Sequence, residues 1–413
     1  MNKYTRIMLT SYKRLFAIPG GWNFSLAGFI LRLPISMLYL AIVLFVVAET
    51  DSYSLAGAIS MVSSIVLAVA TPLWSRAADQ FGQNKILSIT APIHIIFLGL
   101  FVYFVKTDAP VWSWFFCAIV FESFVIGSGQ MVRRRWIHVI GDDRKLIDTA
   151  YSFEALVDEI IFTTGPVIAT LVASYFMPEA SIFTAMGFLV FGALIFLTQK
   201  RTEPPAHPKE PGDDHSLLIR DRFIQALFIP MMMCGAFFSS TGLVIVGYLD
   251  DFGTREYSGF FIAIWSLSSG LSAFVSGSIH WKMNETRRFL YSLVALFVLT
   301  IPIVMAAYFY EGNLFMLAIA LFLNGLAIAP ILTAGFAVAE RSVSPKRTTE
   351  VLAWAIAALN LGGAIPTAIT GYIIDTFGSS VAFIVPLACM AISLLSLLPF
   401  FGLWRRKLHQ IPA

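Results

Sequence analysis

The chain has 413 residues, of which 58% are hydrophobic and only 13% charged, against about 45–50% and about 25% in soluble domains. Its net charge of +3 gives no reason to expect a nucleic-acid partner. Cys117, Cys234 and Cys389 fall in three separate apolar runs, which excludes a disulfide framework or a CxxC metal knuckle by spacing.

Such a composition belongs to a membrane protein. The opening stretch MNKYTRIMLTSYKRLFAIPGG mixes Lys3, Arg6, Lys13 and Arg14 with apolar residues and lacks an h-region with a cleavage site. It is expected to stay in place as a cytoplasmic amphipathic lead-in. A span needs roughly 20 mostly apolar residues, and twelve segments meet that ruler: 24–48, 54–74, 86–105, 110–131, 149–176, 180–198, 223–248, 257–279, 289–309, 313–338, 350–374 and 380–403. Helices are expected in all of them, because hydrocarbon offers no partner to an open peptide group and the runs are too long for barrel strands.

With the amino terminus cytoplasmic, every Lys and Arg except Lys106, Arg255 and the intramembrane Arg32 falls in an inner segment. This is the positive-inside pattern, and one span more or fewer would invert every later loop. The segment QKRTEPPAHPKEPGDDHSLLIRDR, 199–222, is rich in proline and charge and separates six spans from six. The expected organisation is therefore a bundle over 1–198, a cytoplasmic linker over 199–222 and a second bundle over 223–413. A faint repeat places Gly165-Pro166 over Ile365-Pro366 and Ala155 over Ala355, as in transporters built from two parallel halves around a central cavity.

Span 5 poses a question, because TAYSFEALVDEIIFTTGPVIATLVAS carries Glu154, Asp158 and Glu159. A charge at mid-membrane costs on the order of 2.5–3.5 kcal/mol even on the mild insertion scales. Glu154 and Asp158, four residues apart, share a helix face, while Glu159 points roughly 100° further round. Measured along straight helices from the cytoplasmic side, Asp158 lies about 13 Å deep, Arg32 of span 1 about 12 Å and Glu122 of span 4 about 13 Å. Glu154 is shallower, about 7 Å, and could instead pair with the Arg133-Arg134-Arg135 cluster.

The loop between spans 2 and 3, SRAADQFGQNK at 75–85, resembles the G-x-x-x-D-[RK]-x-G-[RK]-x-[RK] pattern of the major facilitator superfamily. Asp79, Gly82 and Lys85 match, whereas Ser75, Gln80 and Gln83 depart from it. The resemblance implies an all-α fold of twelve transmembrane helices in two pseudo-symmetric six-helix bundles. It also implies that Asp79 latches near the start of span 11, at Thr348 to Glu350, where a helix N-terminus favours an anion. The other readings are a solvated Asp79 beside Arg76 and a capping role for Glu350. GYIIDTFG at 371–378 is similar to a common superfamily exit of span 11. IFTTGPVIAT at 161–170 resembles half of the G-x-x-x-G-P-x-x-G-G pattern of proton-driven exporters: Gly165-Pro166 is present, and Ala169-Thr170 replace the paired glycines. A proline there kinks the helix and small residues permit close packing.

In the superfamily fold, spans 1 and 4 line the first half's cavity and span 5 flanks it. The expectation is an ionic network of Arg32 with Asp158 and Glu122, joined by Glu154 and Glu159, with the excess carboxylate taking up and releasing a proton. Loss of water favours the neutral carboxyl and an arginine neighbour favours the carboxylate, so alternating contact with Arg32 makes a switch. A static salt bridge holding the bundle together is the competing reading. The second half offers neutral polar groups, of which Asn324 and Asn360 are the candidates for substrate contact, with helix-to-helix hydrogen bonding as the alternative.

No HExxH or similar metal set and no Walker A loop occurs in the sequence, so neither metal, cofactor nor enzymatic activity is expected. DDFG at 250–253 sits at the outer end of span 7 and is read as chance. The expected function is proton-coupled efflux of a small amphipathic compound by alternating access. The alternatives are proton-coupled uptake of a nutrient or metabolite, and a transporter-like sensor that moves no solute. The expected partners are a small-molecule substrate, protons and the lipid bilayer. The chain is expected to act as a monomer in the cell membrane with both termini cytoplasmic.

Overall fold

The computed structural model describes residues 13–206, 222–278, 283–343, 348–400 and 402–404. Most of the amino-terminal lead-in, most of the 199–222 linker, and Lys282, Lys346, Arg347 and Arg405 to Lys407 lie outside the described residues. Every regular element among the described residues is helical. The first half contains α1 (Gly21–Thr50), α2 (Tyr53–Phe81), α3 (Gln83–Lys106), α4 (Val111–Ser123), α5 (Ser128–Ile140), α6 (Arg144–Tyr175) and α7 (Ala180–Thr198). The second contains α8 (Arg222–Asp251), α9 (Ser258–Ser278), α10 (Glu285–Phe309), α11 (Leu314–Gly325), α12 (Ile328–Glu340), α13 (Thr348–Gly362), α14 (Ala364–Phe377), α15 (Ser379–Ala382) and α16 (Ile384–Leu395). Among the described residues eleven helices are long and apolar enough to cross a membrane, and Ser379–Leu395 is a shorter apolar helical stretch at the place of the twelfth span.

Four sequence-derived spans are interrupted, among them the twelfth, at Phe383. Span 4 breaks between α4 and α5, where 124–127 leave the helix ahead of Gly127-Ser128-Gly129. Span 10 breaks after Asn324-Gly325 and span 11 at Gly362-Gly363. At Gly325 and at Gly362 a Cβ would collide with Ser268 and with the Met232 carbonyl respectively, so glycine permits contacts that a side chain would block. The segment 75–85 is also not the loop expected. Span 2 stays helical to Phe81, and a single residue, Gly82 at φ 96, turns the chain into α3.

The described chain falls into two compact units, Met1–Ile42 with Val69–Asp213, and Val43–Ala68 with Asp214–Ala413. The first is packed around Phe24, Leu31, Val132, Trp136 and Phe196, all at most 2% exposed. Phe24 and Trp136 meet edge to face at 4.6 Å between ring centroids. Gly192 lies so close to α1 that a Cβ would be 2.6 Å from the Leu31 nitrogen. Helices in lipid gain little from apolar burial against one another, so close backbone approach at small residues matters more. In the second unit α8 is buried along most of its length, and Gly235 packs onto the Leu359 carbonyl of α13. Trp112, Tyr175, Phe176 and Phe309, each at least 70% exposed near helix ends, suit the boundary between lipid and water.

Candidate functional site

In the first unit two acids of span 5, Glu154 and Asp158, converge on Arg32 of span 1. Its guanidinium is 3% exposed and is held from below by its own helix, Nε donating to the Gly28 carbonyl at 3.0 Å. Nη1 donates to Asp158 Oδ1 at 2.7 Å and Nη2 to Glu154 Oε2 at 2.5 Å. The four-residue spacing on α6 explains why one arginine reaches both acids.

The two acids are held differently. Glu154 is 0% exposed, and its second oxygen accepts from Ser25 Oγ at 2.9 Å and from Trp136 Nε1 at 2.7 Å. With three donors and no exposed surface it is a fixed counter-ion. Asp158 retains 28% exposure and is bridged on its other oxygen by Arg133 Nη2 at 2.5 Å. Arg133 is itself 36% exposed, so this bond, unlike those of Glu154, is not enclosed by the protein. The four charges sum to zero, as a buried network must approach to avoid an uncompensated ion.

Two expected members are elsewhere. Among the described residues no ion pair or side-chain hydrogen bond reaches Glu122, and Arg32 turns to Glu154 in its place. The straight-helix depth estimate fails because span 4 unwinds after Ser123, whose carbonyl accepts from Trp74 Nε1 at 2.5 Å. Glu159 lies off the 154/158 face, half-buried, with no ion pair among the described residues. Glu154 does not join the Arg133-Arg134-Arg135 cluster either. Successive helical residues point about 100° apart, and each arginine serves a different element: Arg133 pairs with Asp158, Arg134 Nε with Asp79 at 3.5 Å, and Arg135 turns inward.

Arg135 is a residue the sequence reading missed. It is 0% exposed and lies 3.7 Å over the ring of Phe196. Nε donates to Gln83 Oε1 at 2.9 Å, Nη2 to Asn84 Oδ1 at 2.9 Å, and Nη1 to the Gln199 carbonyl at 3.0 Å and Thr202 Oγ1 at 3.1 Å. Gln83, a departure from the superfamily pattern, is thus the acceptor that suits a buried guanidinium. Glu203 Oε1 accepts from the Asn84 nitrogen at 2.8 Å, tying the chain after span 6 to the start of α3. An ammonium cannot reproduce this planar set of donors. Arg135→Lys is therefore expected to lower stability by about 2 kcal/mol or more, read as a fall in thermal midpoint in detergent.

Asp79 is 51% exposed and its described partner is Arg134, not Arg76. Lys85 Nζ rests over the Phe81 ring at 5.7 Å, and a Cβ on Gly82 would meet Glu203 at 3.2 Å. Glu350 stands in the first turn of α13, and its side chain lies outside the described residues. Gly165 sits against α1, where Ser36 Oγ donates to the Ile161 carbonyl at 2.9 Å and fills the space a Cβ on Gly165 would take; Pro166 follows it within α6, its carbonyl accepting from Thr170 Oγ1 at 2.9 Å.

In the second unit Asn324 is 0% exposed. Its Oδ1 accepts from Trp265 Nε1 at 2.9 Å and its Nδ2 donates to Thr300 Oγ1 at 3.1 Å. Both ends are spent between helices, so this conformation does not offer Asn324 to a ligand. Asn360, two residues before the Gly362-Gly363 break, is half-buried with no hydrogen-bond partner for its amide among the described residues. Of the two, only Asn360 has an open amide. Among the described residues no group of three or more His, Cys, Asp or Glu could hold a metal.

Comparison with known proteins agrees with this architecture. The sequence profile of the Major Facilitator Superfamily matches residues 24–312. An uncharacterized MFS-type transporter, y4rN of Sinorhizobium fredii (strain NBRC 101917 / NGR234), is 22% identical over 377 residues, covering 88% of this chain and 91% of its own. Among solved structures, the nucleoside transporter NupG superimposes with a TM-score of 0.69 at 14% identity, covering 93% of this chain and 98% of that one. A D-xylose–proton symporter does so with a TM-score of 0.67 at 13% identity, covering 95% and 98%. An auto-inhibited POT family peptide transporter gives a TM-score of 0.65 at 13% identity over 94% and 97%. At these identities the structural likeness speaks for the fold alone.

Proposed function

The chain belongs to the Major Facilitator Superfamily, and from that premise we propose that it moves a small amphipathic compound outward in exchange for protons. Family membership makes it an integral membrane transporter with the fold of two six-helix bundles, and not an enzyme. Direction, coupling ion and substrate are the proposed parts, as are the six-span halves 1–198 and 223–413 and their alternating access around a midplane site. We also take the basic ends of the helices, and both termini, to be cytoplasmic, following the placement of Lys and Arg.

The observation that supports coupling is the unequal treatment of two acids on one helix face. Glu154 is sealed with three donors, whereas Asp158 is divided between buried Arg32 and half-exposed Arg133. A group that is to take up and release a proton must be reachable by water and must have a counter-charge that can leave. Asp158 meets both conditions and Glu154 neither. When Arg133 swings into solvent, Asp158 loses one of its two cations and can accept a proton; its return expels that proton. The half of the exporter pattern at Gly165-Pro166 favours export over uptake. The open amide of Asn360 suits a ligand held by neutral polar contacts.

The test is flux in vesicles loaded with a pH-sensitive dye, using compounds first selected by ligand-induced thermal shift on the purified protein. An inward proton gradient is expected to drive compound out of the cytoplasmic compartment, with proton movement opposite in sign. Compound and protons moving in the same direction would instead establish a symporter. Compound binding without flux under any gradient would establish a sensor.

A further inference from the structure

The other ends of the spans carry a second acidic arrangement, all of it within the second unit, to which 43–68 belongs. The hairpin between α1 and α2 turns at Asp51, whose φ is 51°, and α2 then begins with its first peptide N–H groups unpaired within the helix. Asp375, near the end of α14, takes two of them. Its Oδ1 accepts from the Tyr53 nitrogen at 2.9 Å and its Oδ2 from the Ser54 nitrogen at 2.7 Å, with Ser52 Oγ donating to Oδ2 at 3.2 Å. The next N–H, of Leu55, goes to Ser52 Oγ at 3.1 Å. Tyr53 is also tied by its hydroxyl, which donates to Asp250 Oδ2 at 2.7 Å, while Arg255 Nε lies 3.6 Å from Asp250 Oδ1.

Glycine brings the two helices together. A Cβ on Gly371, one turn before Asp375, would overlap the Tyr53 carbonyl, and a Cβ on Gly57 would sit 2.8 Å from the Thr367 carbonyl. Ser52 is a local cap that serves α2 in any conformation. Asp375, in contrast, is more than 300 residues away in sequence and can cap α2 only while this hairpin lies against α14. A carboxylate on a helix N-terminus is favoured by both hydrogen bonding and the helix dipole.

We propose that Asp375, assisted by the Tyr53–Asp250 bond, is a latch that holds the carrier closed at the end opposite the basic loops, and that it releases α2 when that end opens. The latch rests on the alternating-access reading above, and on its orientation for calling this end the outer one. Ser60, buried and one turn beyond Gly57 on the same face of α2, supplies a reporter as Ser60→Cys. The three native cysteines are buried, so the parent without the reporter gives the background. Reaction with a membrane-impermeant maleimide is measured in intact cells and in inverted vesicles, in the Asp375→Ala and Asp375→Asn backgrounds, each first shown to purify as a monodisperse protein.

Asp375→Ala is expected to raise the labelling rate in intact cells about tenfold, equivalent to ~1.4 kcal/mol in the closed-to-open balance, with Asp375→Asn in between. Rates unchanged from both sides in both variants would overturn the latch. An increase confined to inverted vesicles would support the latch and overturn the proposed orientation. Gly371→Leu separates the remaining case: if it raises labelling while the Asp375 variants do not, the helix contact is a gate and Asp375 is no part of it.

Discussion

Arg32→Met is expected to destabilise the protein by about 3–5 kcal/mol, because it strands a buried carboxylate. Glu154, at 0% exposure, would keep Ser25 and Trp136 as donors but lose the one cation that pairs with it among the described residues. The asymmetry between breaking a buried pair and replacing both partners gives a sharper form of the test. Arg32→Met combined with Glu154→Gln removes both charges, keeps an acceptor for Ser25 and Trp136, and leaves Asp158 its bond to Arg133. The double variant is therefore expected to recover much of the loss, with an interaction energy at the upper end of the 0.5–3 kcal/mol typical of direct contacts. Denaturation in detergent, monitored by thermal midpoint and by urea, reads the parent, Arg32→Met, Glu154→Gln and the double variant. Single variants whose losses simply add would mean that Arg32 and Glu154 are not the charge pair described.

The second large effect concerns transport. Asp158→Asn should reduce proton-driven flux to less than about one-tenth of the parent, the factor that corresponds to ~1.4 kcal/mol, while leaving the thermal midpoint nearly unchanged. Asparagine fills the same space, Arg133 is exposed enough to be rehydrated, and Arg32 retains Glu154 and the Gly28 carbonyl. Exchange of substrate across the membrane with no proton gradient should persist, because that reaction needs the rocking motion and not the titrating group. Loss of exchange together with driven flux would place Asp158 in substrate binding or folding. Full driven flux would remove it from coupling and turn attention to Glu159 and Glu122, the half-buried acids without an ion pair among the described residues.

Much of the fold was legible because hydrocarbon imposes a simple code. A run long enough to span must be apolar and helical, and basic residues mark the side on which each loop lies. Arg32 and Asp158 could be paired in advance because opposite charges in apolar spans need partners and the two lie at similar depth. Glu122 was misplaced by the same ruler, since depth along a straight axis means little where span 4 unwinds at 124–127. Glu154 could not be resolved between Arg32 and the arginine cluster, because that choice depends on the rotation of α5 about its axis. Trp136 was the available signal: three residues after Arg133, it shares that face and carries the N–H that Glu154 accepts.

Asn324 illustrates a different limit. Polar side chains in apolar helices have the same appearance in sequence whether they greet a ligand or tie helices together, and only the partners Trp265 and Thr300 distinguish the two. Asp375 lay in a stretch already singled out, GYIIDTFG, yet its acceptors' work depends on backbone N–H groups more than 300 positions earlier. Backbone donors leave no trace in residue identity.

The three consecutive arginines of α5 impose a rule on inherited length changes. Adding or losing one residue before Arg133 but inside α5 would turn Arg133, Arg134 and Arg135 by about 100°, handing each partner to the wrong neighbour at once. The same change in 124–127, where no helix repeat is running, can be absorbed by the irregular chain. Homologous chains should therefore vary in the size of that interruption while preserving the count from Ser128 to Trp136.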